Sequence, residues 1–191
     1  MNRLRGTLTF ECGVLPWFGV GALALLLILA NARPLPAMTE IINDAEVEAD
    51  PEAIKAVLAT FENAEEALRT RSLSAMMAIY SKAYQNRGLR KDDTSLIWQD
   101  IFARYKRLSS RHLFSRVIVD RGKKTARVTC TGGLFGVPAL QREGKNESVQ
   151  IDVWFEAVHH LVFEDGSWKI IGHDPAQGEE TLFGSAIHLL F

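Results

Sequence analysis

Cysteine is almost missing from this chain: 191 residues contain two, Cys12 and Cys130. That excludes a disulfide framework and any paired-cysteine metal spacing. An excess of basic charge is missing too. The 22 Lys and Arg stand against 23 Asp and Glu, a net charge of −1, which excludes the strongly cationic face that nucleic acid requires. There is no H-E-x-x-H pattern for a hydrolytic metal. No metal and no cofactor is expected, and no nucleic-acid partner. What remains is a chain with 47% hydrophobic and 24% charged residues, enough to bury one core.

The N-terminus is a different class of segment. Arg3 and Arg5 precede an apolar run from Cys12 to Ala30, and Ala30-Asn31-Ala32 supplies small residues for a cleavage site. Residues 1–32 therefore read as a signal peptide. The same run is long enough to span a bilayer uncut, as an N-terminal membrane anchor through residues 12–30. Both readings place the domain outside the cytoplasm, periplasmic or secreted, because the arginines favour staying inside. Cys12 follows Phe10-Glu11, which do not suit a lipoprotein box. Without residues 1–32 the chain loses two of its 22 basic and one of its 23 acidic residues, leaving a net charge of −2. It also keeps one thiol, so the fold has no internal disulfide and rests on its core.

Residues 33–49 hold Pro34, Pro36 and spread acids, and read as a linker. Asp50-Pro51-Glu52 then starts a helix, with an N-cap carboxylate, a proline at the first turn and an acid at the positive end. Ile54, Val57, Leu58, Phe61, Ala64 and Leu68 form its apolar stripe. Ser72 opens a short second helix with Leu73, Met76, Met77 and Tyr80 on one face. A third is expected from about Asp93 to Leu108, with Trp98 at the edge of its inner face. From Leu113 the period becomes two: a strand to Asp120, a tight turn, and a return strand from Lys124 to Gly132. Residues 133–147 read as a loop, oddly apolar at Leu134, Phe135, Val137 and Leu140. Val149 to Phe163 is a long strand whose odd positions, His159 among them, share a face. Asp165-Gly166 is a hairpin signal, and Trp168 to Asp174 returns, burying Trp168 and Ile170. Residues 176–191 are an apolar C-terminal tail.

The helix ending Met77-Ala78-Ile79-Tyr80-Ser81, the helix around Trp98, the strand Lys124 to Cys130 and the closing Gly166-Ser167-Trp168-Lys169-Ile170 resemble the nuclear transport factor 2-like superfamily, with its SnoaL-like and ketosteroid isomerase branches. The likeness covers residues 50–174. It implies an α+β domain, residues 50–175, in which a cone-shaped, curved, mainly antiparallel sheet of four to six strands wraps around three N-terminal helices. The Tyr80-Ser81 and Trp98 pattern is most similar to bacterial cell-envelope members. The isomerase chemistry does not carry over. Its phenol falls near Asn63-Ala64 and its base near Arg87-Gly88, neither of which supplies the required group, and its oxyanion acid falls at His159.

Tyr80, Tyr84, Trp98 and His159 are the candidate binding residues, and His159 is the candidate acid or base, being titratable near neutrality. The opposing reading of each is core packing, for His159 a histidine bonded to a backbone carbonyl or a tyrosine. His160, His173 and Asp174 are weaker metal-ligand candidates, because adjacent strand residues face opposite ways. Asp152 and Glu156 imitate a carboxylate pair but suit a polar outer face. Cys130 reads as inert packing. A basic band from Arg104 to Arg127 suits solvent. The expected function is a binding or interaction module of the cell envelope, for a small apolar ligand or an envelope protein. The alternatives are a small isomerase- or dehydratase-type enzyme using His159, and a homodimeric scaffold.

Overall fold

The computed structural model describes residues 38–140 and 146–174. Residues 1–32, expected to be an export segment, and the C-terminal tail 176–191 lie outside them, and among the described residues no helix is long and apolar enough to cross a membrane. Strand β1 spans Met38–Glu48, helix α1 Pro51–Thr70 and α2 Leu73–Ala78. A two-stranded ladder, β2 (Gln85–Asn86) and β3 (Leu89–Arg90), leads into α3 (Lys91–Arg104). Strands β4 (Tyr105–Asp120), β5 (Thr125–Pro138), β6 (Val149–Glu164) and β7 (Ser167–Asp174) complete a five-stranded sheet in the order β1-β4-β5-β6-β7. It is antiparallel except for β1, which runs parallel to β4. The α+β cone expected from the sequence is present.

The helix starts follow the local chemistry. The Asp50 carboxylate accepts from the Glu52 and Ala53 amides, at 3.1 and 3.0 Å, with Pro51 in the first turn. Ser72 caps α2 through the Ala75 amide, and Asp93 accepts from the Arg90 amide at the start of α3. The stripe Val57, Phe61, Ala64 and Leu68 is fully buried against the sheet. Trp168 and Ile170 are buried, as their strand parity requires. Ser81 and Ile79 exchange backbone hydrogen bonds with Ile170, and Glu164 accepts from Ser81 Oγ and the Lys82 amide, so the segment after α2 is fastened to the β6–β7 hairpin.

Four local readings need correction. Residues 38–48 of the supposed linker are an edge strand. Its acids hid the period, but Ile41 packs on the core and Thr39 Oγ1 donates to Glu65 of α1 at 2.7 Å. The third helix ends at Arg104 instead of Leu108. Tyr105 and Leu108 fit a helical stripe, yet pairing with Pro138 through Thr125 draws them into β4. The supposed loop is strand as far as Pro138, which explains Leu134 and Val137, both buried.

The fourth correction concerns β6, whose odd positions do not share one face. Cys130 pairs with Ala157 and Gly132 with Trp154, so Thr131 faces two residues, Phe155 and Glu156. That β-bulge puts Glu156 at φ 50° and reverses the alternation. Trp154 is buried before it and Ala157, His159 and Leu161 after it, while Phe155 and Val153 are exposed. Across β5 the facing strand bulges at the same level: Phe114 pairs with Cys130 and Arg116 with Thr129, leaving Ser115 extra. Two bulges flank Cys130, and the sheet bends there.

Candidate functional site

The concave face holds a continuous chain of buried polar and aromatic side chains. It starts at α3, where Trp98 Nε1 donates to the Tyr80 hydroxyl at 2.9 Å, both residues being essentially inaccessible. The Tyr80 ring meets Tyr84 edge-on at 4.8 Å. Asn86 and Thr94 hydrogen-bond the Tyr84 hydroxyl, and the Asn86 amide donates to His173 Nδ1 at 3.0 Å. His173 lies edge-on to His159, with centroids 4.9 Å apart. His159 Nε2 is 3.0 Å from Cys130 Sγ, which also accepts from Trp154 Nε1 at 3.0 Å and lies 3.9 Å from His112 Nδ1. Phe61 of α1 closes over this end against His112, Phe114 and His159.

Burial sets the protonation of this chain. It pushes the Cys130 thiol up to about 12, only partly offset by the Trp154 hydrogen bond. It pushes Tyr84 up to about 12 and Tyr80 well above the ordinary phenol range. At neutral pH all three stay protonated. The Cys130–His159 hydrogen bond then takes its direction from the His159 tautomer. A protonated, desolvated thiol is no nucleophile. Among the described residues no group of three or more His, Cys, Asp or Glu is arranged to hold a metal ion.

The four residues singled out by sequence fall on this one chain: Tyr80, Tyr84 and Trp98 at the helical end, His159 at the sheet end. His159 touches Cys130, His173 and Phe61. The sequence reading missed His112, Asn86, Thr94 and Trp154 and undervalued Cys130 and His173. His112 sits at even spacing with Leu108, Ser110 and Phe114 on the buried face of β4, a visible signal once β4 is known to begin at Tyr105.

The weaker candidates lie elsewhere. His160 pairs with Asp174 at 2.9 Å, half out in solvent. The Glu156 carboxylate sits on the outer face, accepting from Ser115 and Thr131. Asp152 pairs with Leu134 and His159 with Val128, six residues apart along β5. At about 3.3 Å per residue that is roughly 20 Å, far beyond hydrogen-bond reach. Neither carboxylate forms a dyad with His159.

No family model and no curated protein matches the sequence. Solved structures do match in fold. A conserved protein from Planctomyces limnophilus aligns at 12% identity and a TM-score of 0.53, over 65% of this chain and 94% of that one. A chain from Novosphingobium aromaticivorans, provisionally described as an aromatic ring hydroxylase, aligns at 14% and 0.51, over 66% and 89%. A provisional dehydratase of the nuclear transport factor 2-like family from Streptomyces avermitilis aligns at 15% and 0.48, over 65% and 95%. Against Bdellovibrio bacteriovorus Bd1075 the match spans only 40% of that chain. The domain shares the curved-sheet α+β fold of these structures, and likeness at this identity carries the fold alone.

Proposed function

We propose that this domain binds a small, uncharged, largely apolar ligand on the concave side of its sheet, as an exported module of the cell envelope, without turning it over. The observation that supports the binding reading is the buried chain from Trp98 to Cys130. It sets hydroxyl, imidazole and amide groups among aromatic walls, the mixture that orients a ligand in an apolar site. Its described members include no carboxylate, lysine or arginine, so a charged ligand finds no counter-charge there. Proton shuttling is disfavoured because neither Asp152 nor Glu156 reaches His159 to assist it. The export part rests on Arg3, Arg5 and the apolar run Cys12 to Ala30.

The test is a thermal-shift and calorimetric screen of neutral aromatic and hydroxylated compounds beside their carboxylate and amine analogues. Neutral members should bind, and Tyr84→Phe and His159→Gln should each weaken them about tenfold, the cost of one buried hydrogen bond. Turnover that disappears in His159→Gln would instead establish the enzyme. Binding by charged analogues alone would overturn the reading. A second reading, self-association through the outer face of the sheet, draws on Phe155 and Val153, 70% and 49% exposed there. A monomer in analytical ultracentrifugation, unchanged by Phe155→Ser, excludes it.

A further inference from the structure

Trp154 and His159 are five positions apart on one strand. In a regular strand an odd separation sends two side chains to opposite faces. Here both meet the same sulfur, Trp154 Nε1 and His159 Nε2 each 3.0 Å from Cys130 Sγ. The bulge at Phe155–Glu156 makes this possible, and it depends on Glu156 holding φ 50°, a conformation that side chains with a Cβ seldom adopt.

The outer face shows what holds Glu156 there. Its amide donates to Thr131 Oγ1 at 3.1 Å, and Thr131 Oγ1 donates back to the carboxylate at 3.4 Å. Ser115 Oγ, the extra residue of the facing bulge, lies 3.1 Å from both carboxylate oxygens. One side chain thus ties β4, β5 and β6 together at the level of Cys130. We infer that Glu156 is a positioning residue: from the outer face it holds the bend that brings Trp154 and His159 onto Cys130 on the inner face. This builds on the reading of the buried chain as a binding site, but its test requires no ligand.

The experiment uses full-length protein carrying Cys12→Ser, so that Cys130 is the single thiol. It follows two ligand-free readouts: the indole N–H resonance of Trp154, assigned with Trp154→Phe, and the rate at which a thiol reagent modifies Cys130. Glu156→Val, whose branched side chain resists positive φ, should move the indole resonance and speed modification about tenfold or more, as local opening becomes easier. Glu156→Gly keeps the backbone conformation but deletes the carboxylate, and Ser115→Ala cuts the tie to β4. Both should change the same two readouts in the same direction, to a smaller extent. His160→Ala, an outer-face change on the same strand, should alter neither. The inference is overturned if folded Glu156→Val keeps the parent resonance and rate. If that variant does not fold, parent-like values in both Glu156→Gly and Ser115→Ala overturn it. A change as large in His160→Ala also overturns it, since the effect would then be general loosening. If no ligand binds while the readouts shift as expected, the binding proposal fails alone.

Discussion

Trp98 and Tyr80 join the third helix to the end of the second by one buried hydrogen bond, indole N–H to phenol oxygen, 2.9 Å long. The bond fixes the helical wall of the concave side, because the Tyr80 backbone is itself bridged to Ile170 of β7. Tyr80→Phe removes the acceptor and keeps the ring. We expect a loss of about 1–3 kcal/mol, the range for taking one partner from a buried hydrogen bond. Trp98→Phe in addition should cost less than the two single changes together. Additive losses in that double-mutant cycle would show the bond to be energetically idle.

Trp168 is 6% exposed, stands beside Phe163, and lends its carbonyl to Thr60 of α1. Trp168→Ala should destabilise by about 3–5 kcal/mol, as large-to-small core changes do. With no internal disulfide among the described residues to compensate, that is a large share of a typical domain's 5–15 kcal/mol or so. An unchanged melting temperature would refute the placement of the indole.

Gly132 has no room for a side chain. A Cβ there would strike the Arg111 carbonyl oxygen and stand 2.6 Å from the Trp154 ring. The obstacle is partly backbone, so it cannot swing aside. Gly132→Ala should cost about 1–3 kcal/mol or more by overpacking and should disturb Trp154 fluorescence. Gly88→Ala meets no neighbour but sits at φ 87°, so its penalty should come from the backbone alone and leave Trp154 undisturbed.

Stability should fall in alkali. Burial raises the Cys130 thiol from 9.0 to about 12 and the Tyr84 phenol from 10.0 to about 12. Each folded-state value lies above the unfolded one, so the folded protein holds its protons more tightly. The stabilisation is complete below the unfolded values and is lost as pH rises toward the folded ones. Each pKa unit is worth about 1.4 kcal/mol, so the two groups together withdraw several kcal/mol. The urea midpoint should be level from pH 7 to about 8.5 and decline above about 9, with Tyr84→Phe lessening the decline above 10. A midpoint constant to pH 11 would contradict the burial of both groups.

The export proposal predicts a shortened or membrane-bound protein. From the native host, the intact mass should lack residues 1–32, or the whole chain should sediment with membranes. Full-length protein in the soluble cytoplasmic fraction would eliminate both versions.

Local chemistry wrote much of this protein into its sequence. Asp50-Pro51 and Ser72 start helices wherever they occur, and the α1 stripe needs only a period of 3.6 to find its buried face. Asp165-Gly166 makes the last hairpin because both residues take positive φ, 51° and 82°. Tyr80, Tyr84, Trp98 and His159 stood out because aromatic and imidazole groups interrupt these patterns. The remainder depends on partners distant in the chain. Tyr105 to Leu108 obeys helical spacing, and only the β5 ladder opposite makes it strand. Met38 to Glu48 looks like a charged linker until β4 offers it an edge. Above all, no reading by alternation brings Trp154 and His159 to one sulfur, because strict period two forbids it. That contact needs a bulge, and the Glu156 bulge is held by hydroxyls 25 and 41 residues away. The sequence determined the capped helix starts, the inner stripe of α1 and the last hairpin. Tertiary pairing decided where the sheet bends, and with it which side chains share the site.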